Sequence, residues 1–486
     1  MVPWPSGEAT VCKTVYSSSI LLGTSIRIPL PDTEAGFLNV QSHSSELKVL
    51  KFGGTSVGSA RRIKHVAGLV CRSRGDIVVL SAMSGTTNTL VEISEYLYKG
   101  NVPGSQETLN ALATKYADVV GELLSTDAGR AEATAAIERS LSTIRYFFDK
   151  TFDEDAEKEI LAQGELMSTA LMKVYLGEQG ISTVMLPALD YMRTGEGGEP
   201  DMAYIASGLR RLLDVSPNAD VYLTQGYICR NNQGKTDNLR RGGSDYTASI
   251  VGAVLDVEEI QIWTDIDGMH NNDPRYVENT RPVSELHFEE AAELAYFGAK
   301  ILHPACVLPA KLHNIPVRLL NTMEPEAPGT IICNTRPDGT IKAVAAKDNI
   351  TAIKIKSGRM LLAYGFLHKV FETFENHRTS IDMIATSEVG VTVSIDDASR
   401  LAAIVDGLKA FGTVTVDTDM VIICVVGDLE WHNAGFEGRV LSALGDIPVR
   451  MISYGGSNYN ISVLVRAEDK IEALRRLSNN IFDQGQ

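Results

Sequence analysis

Two glycine pairs beside basic side chains are the features of this sequence best suited to phosphate chemistry. In KFGGTS, Lys51 precedes Gly53 and Gly54, and in RRGGSDYTAS, Arg241 precedes the second pair. Glycine lets backbone N–H groups approach phosphate oxygens closely, a lysine supplies a cation near a transferring phosphate, and a guanidinium suits a two-pronged grip on a carboxylate. Each pair alone is also explained by a tight structural turn. The P-loop signature is absent from the sequence, so a nucleotide would bind through another fold.

Three further motifs contain polar residues that could join such a site. The segment Trp263–Arg275 reads WTDIDGMHNNDPR and does not match the calcium-loop pattern. In GAKILHP, we expect Lys300 near the end of a helix that starts around Ser284 and is stopped by Pro304. In GELMST, we expect Glu165 to open a helix, where a carboxylate is favoured in any case. Each motif alone therefore has a structural explanation.

The elements that position these motifs follow an alternating pattern. Short apolar runs predict strands at KVLKFGG, IVVLSAMSG, ISTVMLPA, DVYLTQGYI and EIQIWTDIDG, and helical patterns of 10 to 20 residues separate them. Strands that alternate with helices predict βαβ units and a mostly parallel sheet sandwiched by helices. Sites in such sheets gather at the carboxyl ends of the strands, which is where the glycine-bearing turns fall.

After about residue 340 the pattern changes to that of small α+β modules. NITAIKIKS, GVTVSID and MVIICVVGD alternate apolar and polar residues, and amphipathic helices are predicted at FLHKVFETFENHR, at 435–444 and at KIEALRRLSNNIF. MIATSEVGVTVSID and MISYGGSNYNISVLV share a pattern of Met-Ile, a small polar turn and a strand. An internal duplication explains this economically, and two unrelated pieces are the alternative.

Composition excludes several classes of protein. The 486 residues carry 45 basic and 61 acidic side chains, a formal charge of −16, which argues against a general nucleic-acid binder. No run of about 18 apolar residues predicts a membrane helix. Six scattered cysteines without a CxxC pair suggest neither a zinc knuckle nor a disulfide framework, so we expect a cytoplasmic protein. Residues 1–46 predict a disordered extension, with a targeting peptide as the alternative.

Taken in order, the motifs resemble those of one enzyme family. KFGGTS, VLSAMSGTTN, QGELMST, RGGSD, TDIDG, DPR and GAKILHP resemble the aspartokinases of the amino-acid-kinase family from Lys51 to about residue 345. The C-terminal part resembles the paired ACT modules of the same enzymes. The resemblance implies an amino-acid-kinase fold followed by two ACT-like modules, with these ranges: a catalytic domain at 47–340, a regulatory region at 341–486, one module at about 358–416 and the other at about 341–357 plus 417–486.

The resemblance also implies a reaction and its residues. ATP would phosphorylate the side-chain carboxylate of L-aspartate, with Mg²⁺ bridging the nucleotide phosphates and no dedicated set of protein metal ligands. The nucleophile is already ionised near neutral pH, so alignment and charge stabilisation suffice. The implied residues are Lys51, Asp245 and Lys300 for catalysis; Ser81, Thr87, Glu165, Arg241 and Ser244 for aspartate; and Gly53, Gly54, Thr264, Asp265, His270 and Arg275 for the nucleotide.

The regulatory half resembles the lysine site of lysine-sensitive aspartokinases. The implied effector residues are Met360, Phe366, Ser380, Asp382, Thr386, Ser387 and Glu388. The modules would also pair two chains into a homodimer. Open alternatives are another effector, or modules that only dimerise the enzyme. For the whole chain, the rivals are another kinase of the same fold, acting on glutamate, carbamate or UMP, and a catalytically silent amino-acid sensor. Because Lys51 and Lys300 are both present, the catalytically silent sensor is the less favoured alternative.

Overall fold

The computed structural model describes residues 47–72, 74–239, 242–298, 304–334, 339–358 and 364–482. The predicted extension at 1–46 lies outside the described residues, as do the predicted site residues Arg241, Lys300 and Met360.

The N-terminal region, up to residue 334, is built on one large sheet and a small ribbon. Its strands, in chain order, are β1 (Lys48–Phe52), β2 (Asp76–Leu80), β3 (Thr183–Leu186), β4 (Val221–Gln225), β5 (Ile228–Arg230), β6 (Thr236–Asn238), β7 (Glu259–Thr264), β8 (Glu285–His287), β9 (Val317–Asn321) and β10 (Thr330–Cys333). The large sheet has the order β3-β4-β2-β1-β7-β9-β10-β8, and β5 pairs with β6 in the ribbon.

Helices cover this sheet and explain why its central strands are apolar on both faces. Strand β2 is buried along its whole length, as is β4, which is the pattern of a parallel sheet between helical layers. The helices of this region are α1 (Ala60–Val70), α2 (Thr86–Tyr98), α3 (Val102–Leu123), α4 (Asp127–Tyr146), α5 (Glu154–Glu178), α6 (Ala188–Tyr191), α7 (Met202–Val215), α8 (Gly243–Leu255), α9 (Phe288–Phe297) and α10 (Pro304–Leu312).

No helix in the described part of the chain is long and apolar enough to cross a membrane.

The carboxyl ends of the parallel strands meet at one edge of the sheet. Strands β3, β4, β2, β1, β7 and β9 pair in parallel along this order, and β10 is antiparallel to β9. The residues that follow the central strands are Gly53, Ser81, Gly226, Asp265 and Thr322. The predicted mostly parallel sheet is therefore confirmed, and the glycine turns lie at the edge where sites in such sheets form.

The C-terminal region contains a second, antiparallel sheet with helices on it. Its strands are β11 (Ile341–Lys356), β12 (Met383–Ser387), β13 (Gly390–Ile395), β14 (Thr413–Gly427), β15 (Met451–Tyr454) and β16 (Asn460–Arg466). The order is β12-β13-β11-β14-β16-β15. Its helices are α11 (Phe366–Asn376), α12 (Leu401–Lys409), α13 (Phe436–Leu444) and α14 (Lys470–Ile481). The two similar sequence segments form equivalent hairpins, β12–β13 and β15–β16, at opposite edges.

The two halves of this sheet share their central strands. Residues 351–356 of β11 pair with β13 on one side and with residues 413–417 of β14 on the other, whereas residues 341–347 pair with 422–427. We predicted that the first module begins after Ser357, but the strand register divides β11 earlier. The division falls at an irregularity next to Asn349, whose φ is +61°. Strand β11 runs through both modules, and its antiparallel partner β14 runs beside it through both.

Two expectations about helices differ from the structure. Glu165 does not open a helix but lies in the middle of α5, since the chain is already helical from Glu154. Pro304 does not stop the helix that precedes it. Helix α9 ends at Phe297, before Gly298 with a φ of +143°, and Pro304 begins α10. Proline is well suited to a first helical turn, where its missing N–H costs no hydrogen bond.

Helix α9 joins the two regions through a common core. Leu294 and Phe297 of α9 belong to one buried cluster with Met383, Met420 and Met451 of the C-terminal sheet. Two of these methionines come from the opposite edge strands, β12 and β15. The C-terminal sheet is therefore packed on a helix of the N-terminal region by apolar burial and is not merely tethered to it.

Leu294→Ala should destabilise the protein by about 2–5 kcal/mol, because the side chain is 2% exposed and its removal leaves a cavity in the shared core. Leu308→Ala is the matched control, since Leu308 on α10 is 49% exposed, and it should change stability by about 0.5 kcal/mol or less. Urea unfolding followed by circular dichroism measures both. Equal effects of the two substitutions would contradict the proposed packing of α9.

Candidate active site

A buried ion pair lies at the centre of the strand-end edge. The Lys51 ammonium, at the end of β1, lies 2.6 Å from a carboxylate oxygen of Asp245, in the first turn of α8. Their side chains are 11% and 12% exposed. A cation so little hydrated needs a fixed partner, and Asp245 holds the Lys51 ammonium beside the first glycine pair, 3.6 Å from where a Cβ on Gly53 would lie.

The first glycine turn is pressed against the loop that follows β2. The Ser84 amide donates a hydrogen bond to the Gly54 carbonyl oxygen at 3.1 Å. A Cβ at Gly54 would lie 2.8 Å from the Ala82 carbonyl oxygen, closer than real Cβ atoms come. Glycine is therefore required at position 54 by close approach of two backbones. The glycine turn predicted from KFGGTS lies at the end of β1, and its binding of phosphate stays a prediction.

Glu165 reaches the same edge from helix α5. The residue is 4% exposed, and its Oε1 accepts a hydrogen bond of 3.2 Å from the Ala82 amide. Its other oxygen, Oε2, is buried and has no hydrogen-bond partner among the described residues. Burial raises the pKa of the Glu165 carboxyl to about 8. A buried acceptor without a donor is costly, so Oε2 is suited to receive a donor from a ligand.

The other residues predicted to bind the substrate aspartate lie around this edge. Ser81 follows β2 directly and its carbonyl oxygen accepts a hydrogen bond of 2.8 Å from Ser168. Thr87 is exposed in the first turn of α2. Ser244 lies on α8, so close to Gly226 that a Cβ there would lie 2.5 Å from the Ser244 hydroxyl oxygen. The structure thus brings Ser81 and Ser244 to the ends of the neighbouring strands β2 and β4.

The residues predicted to bind the nucleotide fall into two groups. Thr264 ends β7, next to the residue whose carbonyl accepts the Gly53 amide, and Asp265 follows it and is exposed. His270 contacts Asp267 at 2.8 Å through Nε2 and is thereby tied to the TDIDG turn.

Arg275 lies elsewhere. Its side chain is 75% exposed and pairs with Asp273, and its loop packs on the C-terminal region, where Asn272 donates to the Leu474 carbonyl oxygen at 3.0 Å. The described contacts therefore do not bring Arg275 to the Lys51–Asp245 pair, and its role in nucleotide binding stays a prediction.

Sequence reasoning missed side chains that brace the site from a distance. From α3, the Lys115 ammonium donates to the Ser84 carbonyl oxygen at 2.6 Å, and the Tyr116 hydroxyl lies 3.1 Å from that of Thr86. Tyr227, at a φ of +67°, packs its ring against the backbone of Gly243. No local pattern marks these residues, since each acts across a long stretch of chain.

The predicted effector residues lie along the first edge of the C-terminal sheet. Ser380 is exposed, and Thr386, Ser387 and Glu388 are exposed at the end of β12 and in its turn. Phe366 is 8% exposed and belongs to a core cluster with Val370 and Phe374, and its contact with an effector stays a prediction.

Asp382 differs from its exposed neighbours. Its side chain is completely buried, and its Oδ2 has no hydrogen-bond partner in the described part of the chain. It is therefore the predicted effector residue with the clearest capacity to accept a donor.

The residues present fit a polyphosphate better than a resident metal ion. The Lys51 ammonium lies beside the first glycine turn and supplies positive charge, which phosphate oxygens accept. Among the described residues, no group of three or more His, Cys, Asp or Glu side chains is placed to hold a metal ion. That Mg²⁺ enters with the nucleotide, held by few protein oxygens, stays a prediction.

Gly54→Ala should raise the Kd for ATP about tenfold or more, a loss of about 1.4 kcal/mol, because the new Cβ must push the two backbone turns apart. Gly68→Ala is the control, since a Cβ at that position in α1 meets nothing within 4 Å. Isothermal titration calorimetry measures both affinities. An unchanged affinity in Gly54→Ala would leave the first glycine turn without its assigned role.

Glu165→Gln should flatten the pH dependence of stability. Between about pH 4.5 and 8, the folded carboxyl keeps its proton while the unfolded one has lost it, so the native state binds more protons and the free energy of unfolding falls as pH rises, by up to about 1.4 kcal/mol per pH unit. Urea unfolding from pH 5 to 8 gives the difference between wild type and variant. If the difference in unfolding free energy between wild type and Glu165→Gln stays the same from pH 5 to 8, a buried, neutral Glu165 is contradicted.

Comparisons with known proteins agree with the two regions. The model of the amino acid kinase family matches residues 46–321, and an ACT domain model matches residues 423–481. The lysine-sensitive aspartokinase 3 of Escherichia coli K12 is 34% identical over 90% of this chain and 100% of its own length. The chloroplastic aspartokinase 3 of Arabidopsis thaliana is 34% identical over 90% of this chain and 81% of that protein.

Solved structures give the same result. The crystal structure of E. coli aspartokinase III in complex with aspartate and ADP (R-state) has a TM-score of 0.76 at 34% identity, covering 90% of this chain and 100% of that one. The lysine and aspartate complex of the same enzyme (T-state) matches with the same values. The amino-acid-kinase fold and the ACT-type region predicted from the sequence are confirmed. The chain belongs to the aspartokinases, within the amino acid kinase family.

Proposed function

We propose that this protein is an aspartate kinase, which transfers the γ-phosphoryl group of ATP to the side-chain carboxylate of L-aspartate and is inhibited by lysine. The observation that carries the proposal is the placement of Glu165 Oε2, which has no partner among the described residues, at the same strand-end edge as the Lys51–Asp245 pair and the first glycine turn. A buried acid is suited to a substrate ammonium, and a glycine-backed lysine is suited to phosphate.

The proposed reaction needs no general base. A side-chain oxygen of aspartate attacks the γ-phosphorus, the bond from that phosphorus to the β,γ-bridging oxygen breaks, and ADP leaves with the electron pair. Lys51 offsets the charge of the phosphoryl oxygens, and Asp245 keeps its ammonium in place. Mg²⁺, when bound with the nucleotide, would supply further charge neutralisation. Glu165 holds the substrate ammonium and so aligns the distant carboxylate with the phosphorus.

Lysine control is supported by the C-terminal region. Asp382 offers a buried oxygen without a described partner, and the E. coli relative of 34% identity is named lysine-sensitive. Exposed apolar side chains on α11 and β12, namely Leu367, Phe371 and Ile384, support pairing of two chains through these modules into a homodimer. The cytoplasmic location stays a prediction of the sequence.

The proposed activity is tested by hydroxamate formation from aspartate and Mg-ATP with hydroxylamine. Wild-type protein should form aspartyl hydroxamate, glutamate should give none, and millimolar lysine should slow the reaction. Lys51→Met should lower kcat about 100-fold or more, because a cation next to the transferring phosphate is lost.

Lys48→Met is the matched control for Lys51→Met. Lys48 is on the same strand, its side chain is 34% exposed, and its ammonium lies near Glu258 on the surface, so its loss should leave kcat within about twofold. Turnover of glutamate in place of aspartate would overturn the substrate assignment. Equal rates for Lys51→Met and wild type would remove Lys51 from the mechanism.

A further inference from the structure

The loop between β2 and α2, residues 81–85, touches both halves of the strand-end edge. The Ala82 amide donates a hydrogen bond to Glu165 Oε1 at 3.2 Å. Two residues later, the Ser84 amide donates to the Gly54 carbonyl oxygen at 3.1 Å. The position of this loop therefore sets the first glycine turn relative to the carboxyl that is proposed to hold the substrate ammonium.

Lys115 holds the same loop from helix α3. Its ammonium donates a hydrogen bond to the Ser84 carbonyl oxygen at 2.6 Å, and a Cβ at Gly85 would lie 3.7 Å from the same nitrogen. A hydrogen bond from a charged donor is roughly twice as strong as a neutral one. Ser84 thus accepts the bond from Lys115 on its carbonyl and gives its own amide to the first glycine turn.

The stability of the fold does not explain a lysine at this position. Helix α3 packs through buried side chains such as Leu112 and Val119, and the Tyr116 hydroxyl lies 3.1 Å from that of Thr86. Burial lowers the pKa of the Lys115 ammonium, and no carboxylate of the described residues offsets this effect. Partial burial of this cation therefore has a cost, and a residue kept at a cost in stability often serves function.

We propose that Lys115 is a positioning residue for the phosphoryl transfer. By holding the Ser84 carbonyl, it keeps the first glycine turn and Glu165 at the separation that brings the γ-phosphorus and the aspartate carboxylate into line. Lys115 acts through the backbone of the loop, which its ammonium contacts, and is assigned no contact with the reacting atoms. The inference rests on the proposed function and adds to it a residue outside the motifs.

Lys115→Met keeps most of the side-chain stem and removes the ammonium. Its kcat should fall about tenfold or more, whereas the KM values for ATP and aspartate should stay within about threefold, because the groups that bind each substrate remain and only their alignment is lost. The midpoint of thermal unfolding should stay within about 2 °C of wild type. Hydroxamate formation and circular dichroism measure these quantities.

Hydrogen exchange reports on the loop without any turnover. Mass spectrometry of peptides that span residues 81–85 should show that Lys115→Met raises the exchange rate of the Ser84 amide about tenfold or more, since its hydrogen bond to Gly54 opens more often. Unchanged exchange in this variant would overturn the assignment of Lys115 to the loop.

Chemical rescue separates the ammonium from the rest of the side chain. In Lys115→Cys, the thiolate displaces bromide from 2-bromoethylamine and forms a side chain with an ammonium at the length of lysine, which should return kcat to within about threefold of wild type. Iodoacetamide adds a neutral group and should leave kcat low. Wild type treated with each reagent controls for the other cysteines, of which Cys71 is exposed.

Lys64→Met is the matched control. The Lys64 ammonium, on α1, donates to the Glu122 carbonyl oxygen at 2.8 Å, which is the same kind of contact between a helix lysine and a backbone oxygen. Glu122 lies in the last turn of α3 and not in the loop. The kcat of this variant, and the hydrogen exchange of the loop, should stay within about twofold of wild type.

The failures of the two proposals are distinguishable. A wild-type protein that does not phosphorylate aspartate contradicts the proposed function, and hydrogen exchange then still decides whether Lys115 holds the loop. With an active wild type, the inference is overturned if Lys115→Met keeps kcat within about twofold, or if kcat and the unfolding midpoint fall together without rescue. A lower kcat with an unchanged midpoint, faster exchange in the loop and rescue by bromoethylamine supports it.

Discussion

The ion pair between Lys51 and Asp245 is the interaction on which the site depends. A lysine at the end of a buried strand has lost most of its water, and a nearby carboxylate offsets the cost of burying its charge. Asp245 supplies that charge from the first turn of α8, and so couples the first glycine turn to the second. Substrate phosphate can then meet a cation that is already in place, which is the preorganisation that phosphoryl transfer requires.

Local sequence signals predicted the parts of the fold that are locally determined. The strands β1, β2, β4 and β7 are continuous apolar runs that end in glycine or in a polar turn, and this pattern places their ends together in any parallel sheet. The same reasoning did not identify β9, whose sequence VRLLN is short and follows a proline. Glu165 was placed at a helix start because GELMST was interpreted alone, whereas the preceding acidic turn from Glu154 already begins α5.

Residues that act across the fold could not be found in this way. Lys115 and Ser84 are far apart in the chain, as are Tyr296 and Asp382, and their hydrogen bonds exist only because separate helices pack on the same sheet. Neither Lys115 nor Tyr296 belongs to a motif with a chemical signature. The motifs therefore indicated the reaction, while the residues that brace the site and connect it to the C-terminal sheet required the structure.

Helix α9 joins the two regions of the chain. The N-terminal sheet gathers charge at its strand ends, and the C-terminal sheet presents the buried acid Asp382 near its edge. Helix α9 is packed on the C-terminal sheet by apolar burial, and its Tyr296 donates a hydrogen bond to Asp382. The two regions are therefore joined by both apolar and polar contacts.

The most direct test of the account is the distance between the two substrates when both are bound. Rotational-echo double-resonance NMR on the complex with a non-hydrolysable ATP analogue and aspartate, labelled with carbon-13 at its side-chain carboxyl, measures the separation of that carbon from the γ-phosphorus. Reacting atoms poised for attack lie about 3–3.5 Å apart, so the labelled carbon should lie within about 5 Å of the phosphorus. A complex with both ligands bound but no dipolar coupling between these nuclei would contradict a shared site at the strand-end edge.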